Sequence, residues 1–338
     1  MKKNKFQFIL NILIILVILG IVLYFSLREN YEEILDAIIH MNVWWILFAI
    51  FLLCLYRICS SRAHYMVIRE NREKVSYWRC LQINFIILFF HGVTPFAGGG
   101  QPMEVYYLHQ EGIPVTRAAN ITLQNFIVYQ ISLVLVGIFA LVCNGIIDLF
   151  PNNHLIKQLV VFGFAINLLV LVVTFLLSFG KKFNRFVCRT GIRLLAKLKI
   201  VKDEAGCRKK FREYLDSFHD NALQLRKNLK VVMKTVFINI IGLLFFYSMP
   251  YAVARGLGIE ISLLYAIVAT AYVMIIGSFV PIPGGTGGVE YGFMFFFGYF
   301  IKGNVLNAIM LVWRFISYYL GMIIGAIALS LYRKGEKS

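Results

Sequence analysis

Long apolar runs separated by short polar connections dominate this chain. Six runs reach the length a helix needs to span hydrocarbon, and they predict spans near 7–27, 43–61, 117–143, 156–179, 232–254 and 304–331. Two further apolar stretches, 81–110 and 262–301, are irregular, each broken near its middle by proline and glycine. The breaks read PFAGGGQPME (95–104) and PIPGGTGGVE (281–290). Aligned without a gap, they coincide at Pro95/Pro281, at Gly98-Gly99/Gly284-Gly285 and at Glu104/Glu290.

Charge sets the topology. Basic residues gather at Lys2, Lys3 and Lys5, at Arg62, Arg69, Arg72, Lys74 and Arg79 of a loop 62–79, and at Arg333, Lys334 and Lys337 of the tail. Segment 181–234 carries 16 Lys and Arg against five acids. Connections 28–42, 144–155 and 255–261 are poor in Lys and Arg. Basic connections face the cytoplasm, which puts both termini there and satisfies the pattern with six full spans. Stretches 81–110 and 262–301 must then each leave the bilayer on the side they entered. Non-helical backbone at that depth is tolerated where protein or water shields it. The first arm, Leu81–Thr94, covers only roughly 21 Å at the helical rise, which favours re-entry; two short full crossings are the alternative.

The expectation is an all-α polytopic membrane protein, with about six full transmembrane helices and two re-entrant helical hairpins in an inverted-topology repeat. The first repeat covers 1–143 with its re-entrant loop at 81–110. The second covers 144–338, with its re-entrant loop at 262–301 and a basic amphipathic cytoplasmic insertion at 181–231, suited to lie on anionic head groups. Paired Gly/Pro-interrupted segments at corresponding positions are the sequence mark of a transport site near the midplane.

Composition agrees. Of 338 residues, 59% are hydrophobic and 15% charged, against about 25% charged in soluble domains. The net charge of +17 follows from the positive-inside pattern, so the expected partner is an anionic membrane lipid rather than nucleic acid. The run after MKKNK lacks a small-residue cleavage site and reads as a retained helix. Six cysteines without a CxxC or a His/Cys cluster point to neither zinc nor disulfides. GGTGG is followed by no Gly-Lys-Ser/Thr, so it is not a nucleotide loop. No catalytic spacing stands out; the reading is a transporter without cofactor, not an enzyme.

Intramembrane charges are functional candidates by default. They are Glu104 and Glu290, each just after its loop, and Arg314, about ten residues into the last span beside Trp313, Tyr318 and Tyr319. With them stand Gly98, Gly99, Gly100 and Gln101 of the first loop and Gly284, Gly285, Thr286 and Gly287 of the second. Glycine permits positive φ and close approach of a head group to backbone, and a helix starting after the loop presents free N–H groups to phosphate. Arg314 suits a phosphodiester, and a carboxylate suits a cationic head group. The plainer readings are a fold-fixing Glu290–Arg314 pair, a GxxxG packing motif at Gly284/Gly288 and an ordinary helix N-terminal charge at each glutamate. Arg57 is expected to snorkel to the cytoplasmic interface, and His91 to be structural.

TPFAGGGQPMEVYYL, PIPGGTGGVEYGF and the later WRFISYYLG resemble the lysylphosphatidylglycerol synthase transmembrane (flippase) family, whose best-known member is the bacterial multiple peptide resistance factor. The resemblance implies a multi-pass protein of the bacterial inner membrane that moves phospholipid, notably aminoacylated phosphatidylglycerol, between leaflets. In two-part members a soluble aminoacyl-transferase domain follows; this chain stops at RKGEKS, so that domain is not expected. A secondary transporter of a small solute, a non-catalytic membrane partner of a lipid-modifying synthase and a homo-oligomer stay open as alternatives.

Overall fold

The computed structural model describes residues 31–94, 98–150, 154–179, 190, 228–278, 280 and 283–332. The predicted span 7–27, Pro95, Pro281, the tail basics and nearly all of the insertion 181–231 lie outside them. The described residues form helices joined by short turns, with no strand among them.

Among the described residues twelve α-helices run in order: α1 (Tyr31–Ile39), α2 (Val43–Glu70), α3 (Tyr77–Val93), α4 (Gly100–Gln110), α5 (Val115–Ile147), α6 (His154–Phe179), α7 (Leu229–Tyr247), α8 (Met249–Gly256), α9 (Leu263–Gly277), α10 (Gly288–Phe297), α11 (Asn304–Arg314) and α12 (Gly321–Ser330). A 3₁₀ turn, Pro283–Gly285, precedes α10, and Phe315–Leu320 wind as a π-helix between α11 and α12. Local sequence sets the boundaries. Asn42 caps α2 by accepting from the Trp44 N–H at 3.0 Å, and Ser76 caps α3 by accepting from the Arg79 N–H at 3.2 Å. Pro114 starts α5, where its fixed φ and missing N–H cost nothing.

Among the described residues, four stretches are long and apolar enough to cross a membrane: Val43–Glu70, Val115–Ile147, Leu229–Gly256 and Asn304–Ser330. They coincide with the predicted spans 43–61, 117–143, 232–254 and 304–331, with moved ends. The predicted span 156–179 falls in α6, whose described apolar stretch, Val160–Leu176, is shorter. The largest difference is at α2, which runs nine residues past its predicted end, through the first part of the predicted basic loop. Nothing in 62–70 breaks a helix. The stop comes at Asn71, whose side-chain amide donates to the Val67 carbonyl at 2.9 Å, and at Arg72, which takes φ 60.

Both glycine stretches are breaks between short paired helices, α3/α4 and α9/α10. These contain 17, 11, 15 and 10 residues. At about 1.5 Å per residue, α4 and α10 reach only about half of a ~30 Å hydrocarbon core.

Lipid tails supply no hydrophobic drive for helix association, so close packing and small residues must do it. Helix α7 lies along α2, where Gly242 sits against Tyr56 and Cys59. Helix α12 lies along α3 through Gly321 and Gly325, a GxxxG face. A Cβ at Gly321 would meet Leu88, and one at Gly325 would meet the Phe85 carbonyl itself. The larger buried cluster joins α2, α5, α7–α11 and the π-helix around Phe150, Tyr272, Phe293, Phe296 and Trp313. A smaller one joins the last turns of α2 to α3, α4 and the start of α5 through Ile68, Ile83, Ile86 and Leu108.

Candidate functional site

Residues of both clusters wall a cavity of about 470 Å³. Into it face Gly92, Gln101 and Glu104 from the first glycine region and Gly284, Gly285 and Arg314 from the second. Its wall is mostly apolar, with Arg57, Ser60, Asn84, Asn125, Gln130 and Asn239 among the lining groups.

At the second break, Glu290 stands in the first turn of α10. One carboxylate oxygen accepts from the Gly287 N–H at 2.7 Å, and the other accepts from Arg314 Nε at 2.8 Å. Arg314 Nη2 also donates to the Gly284 carbonyl at 3.0 Å. Its guanidinium carbon lies 4.6 Å from the centre of the Tyr318 ring, a cation–π distance. Tyr318 sits on the π-helix, a form that often marks functional sites, and its hydroxyl donates to the Gly92 carbonyl at 2.6 Å. Glu290, Arg314, Tyr318 and Gly92 thus make one chain of contacts from the second break to the end of α3.

Glycine is required here on two grounds. Gly284 and Gly285 take φ 66 and 65, open to glycine and strained for other residues. A Cβ on Gly284 would also enter the Tyr318 ring, and one on Gly285 would press on the Gly277 carbonyl. Gly284 and Gly288 do not share a helical face, since Gly284 lies in the 3₁₀ turn; the GxxxG reading belongs to Gly321/Gly325 instead. At the first break Gly99 has φ −76, and proximity is the constraint. A Cβ on Gly100 would enter the His91 ring, and the Gly99 N–H donates to Thr94 Oγ1 at 2.8 Å.

Glu104, on α4, is buried, with an oxygen 2.9 Å from His64 Nε2 of α2. The two atoms lack hydrogen-bond alignment, and neither has another partner among the described residues, so this is a close polar contact rather than an aligned bond. On the other side of the ring, Asn84 Nδ2 lies 3.0 Å from His64 Nδ1. An Asn84 amide donating there leaves the ring proton on Nε2, facing Glu104.

The structure therefore gathers Gln101, Glu104, Gly284, Gly285 and Arg314 around one cavity. Gly98, Gly99, Gly100, Thr286, Gly287 and Glu290 are not among its lining residues; Gly99 bonds to Thr94, and Gly287 and Glu290 bond to each other beside Arg314. The N–H face of α10, expected to meet phosphate, is in part used by Glu290 itself through Gly287. Sequence reasoning missed His64, assigned to a basic loop, and misplaced Arg57. Because α2 extends to Glu70, Arg57 lies near the middle of the helix and lines the cavity. The signal was present: Arg57, Ser60 and His64 recur at i, i+3 and i+7, a polar stripe along one side of the helix.

Fold and site together define a multi-pass helical membrane protein with a cavity, lined by both apolar and polar groups, between two glycine-broken helix pairs. The chain belongs to the family described as the lysylphosphatidylglycerol synthase TM region, which it matches over residues 9–325. It is 23% identical over 315 residues to a UPF0104 membrane protein of Archaeoglobus fulgidus, covering 90% of this chain and 87% of that one. It is 20% identical over 349 residues to an uncharacterized protein of Mycoplasma genitalium, covering 95% and 87%.

Proposed function

We propose that this chain is a phospholipid translocase without cofactor or catalytic chemistry, moving anionic or aminoacylated phosphatidylglycerol or a related lipid between leaflets. The observation that carries this reading is the cavity of about 470 Å³ walled jointly by the two glycine-broken regions. Its size falls within the roughly 300–1,000 Å³ of ordinary ligand pockets, enough for a head group whose acyl chains stay in lipid. In this reading α3/α4 and α9/α10 are re-entrant hairpins of an inverted repeat, entering from opposite sides to meet at the cavity, with both termini cytoplasmic in a bacterial inner membrane. The shortness of α4 and α10 supports re-entry, and the family description, which names a lysylphosphatidylglycerol synthase, supports the lipid class. Gln101, Glu104 and Arg314 face the head group, while Glu290 and the glycines hold the wall.

The test is leaflet transfer of fluorescent phosphatidylglycerol in vesicles containing the purified chain. Dithionite, applied outside, should quench well beyond the outer-leaflet fraction. Quenching equal to that of protein-free vesicles overturns the reading.

A further inference from the structure

Among the described residues lining the cavity, three side chains carry formal charge: Arg57, Glu104 and Arg314. Two are answered internally. Arg314 has Glu290 and the Gly284 carbonyl, and Glu104 has His64. Arg57 has no carboxylate and no hydrogen-bond partner for its buried Nε among the described residues. A buried polar atom without a partner is destabilising, so an arginine left this way inside a membrane helix bundle calls for an explanation.

The geometry around Arg57 supplies one. Its guanidinium carbon lies 4.5 Å from the centre of the Tyr56 ring. That is a cation–π distance, and no hydrogen bond among the described residues takes up the Nε–H. Two parallel in-plane donors are the arrangement that grips a phosphate or carboxylate in bidentate fashion. Ser60, one turn along α2, and Asn84 of α3 line the same cavity, and both can donate to an anion. The Tyr56 and Tyr129 hydroxyls, 3.3 Å apart, add a further polar edge.

We infer that Arg57, held against Tyr56 and flanked by Ser60 and Asn84, is the anion-binding centre of this cavity and takes a phosphate group. Assigning that phosphate to a lipid head group rests on the translocase reading; a free phosphate shares the chemistry. Arg314 then faces the same ligand while clasped to Glu290 and the Gly284 carbonyl, and Arg57 is the cation offered to the phosphate.

The experiment titrates the purified full chain in detergent with dihexanoyl phosphatidylglycerol and, separately, with inorganic phosphate. Arg57→Gln should weaken binding at least tenfold, and Arg57→Lys, which keeps the charge but loses the fork, should fall between. Ser60→Asp, which sets a carboxylate one turn away, should weaken it at least tenfold without touching Arg57, and so serves where Arg57→Gln fails to fold. Wild-type affinity in Arg57→Gln or in Ser60→Asp overturns the assignment. Stronger binding of the lipid than of inorganic phosphate assigns a head group, and the reverse order assigns a free anion. Arg57-dependent binding by a chain that moves no lipid overturns the translocase reading alone. Transport that survives Arg57→Gln with unchanged binding overturns this inference alone.

Discussion

The Tyr318 hydroxyl donates to the Gly92 carbonyl at 2.6 Å, joining residues 226 positions apart. Gly92 is in the last turn of the helix before the first glycine break, and Tyr318 lies under the arginine that holds the second. This bond ties the two breaks directly. Tyr318→Phe keeps the ring beneath Arg314 and removes only the donor. It should cost about 1 kcal/mol, the ordinary value of a buried hydrogen bond. Thermal unfolding of the purified chain should show a lowered midpoint; an unchanged midpoint would mean the bond adds nothing.

Glu290 and Arg314 should behave as one unit. Their side chains are 14% and 5% exposed, and removing one partner of a buried pair leaves an uncompensated charge worth about 3–5 kcal/mol. Glu290→Gln and Arg314→Gln should each destabilise strongly, and the double variant by less than the sum. Denaturant unfolding of the four proteins gives the coupling, and simple additivity would refute the pair.

Gly100 should tolerate no Cβ while His91 stays in place. Gly100→Ala drives a methyl into the imidazole and should cost about 1–3 kcal/mol through overpacking. His91→Ala should recover much of that loss in the double variant. Unfolding midpoints of the set decide it: no recovery would place the constraint elsewhere.

The α3–α12 contact should depend on Gly325, where backbone meets backbone. Gly325→Val has no small adjustment open to it, since the obstacle is the Phe85 carbonyl rather than a side-chain end. A folded yield near wild type, measured by size-exclusion chromatography, would show that α12 does not pack this closely.

The helical membrane class and the breaks at 98–100 and 284–287 were legible in the sequence, because apolar length and helix breakers are local signals. The Glu290–Arg314 pair was legible as one of two readings of those charges, the other being direct contact with a ligand. The end of α2 was not legible. Basic residues at 62 and 69 imitate a loop by charge count, whereas a helix leaving the bilayer can carry them on its surface. That error hid His64 and moved Arg57 to an interface. The asymmetry of the breaks was equally hidden: PFAGGGQPME and PIPGGTGGVE align, yet Glu104 meets a histidine of α2 and Glu290 an arginine of α11. Matching letters fix where a chain turns, and the partners come from elsewhere in the fold.

The most direct test of the account fills the cavity. Asn125 lines it from α5 and is only half-buried, so Asn125→Trp can occupy the space without disturbing the packed clusters. With its unfolding midpoint near wild type, this variant should transfer fluorescent phosphatidylglycerol between leaflets no faster than protein-free vesicles. Transfer at the wild-type rate through the filled cavity would contradict the account.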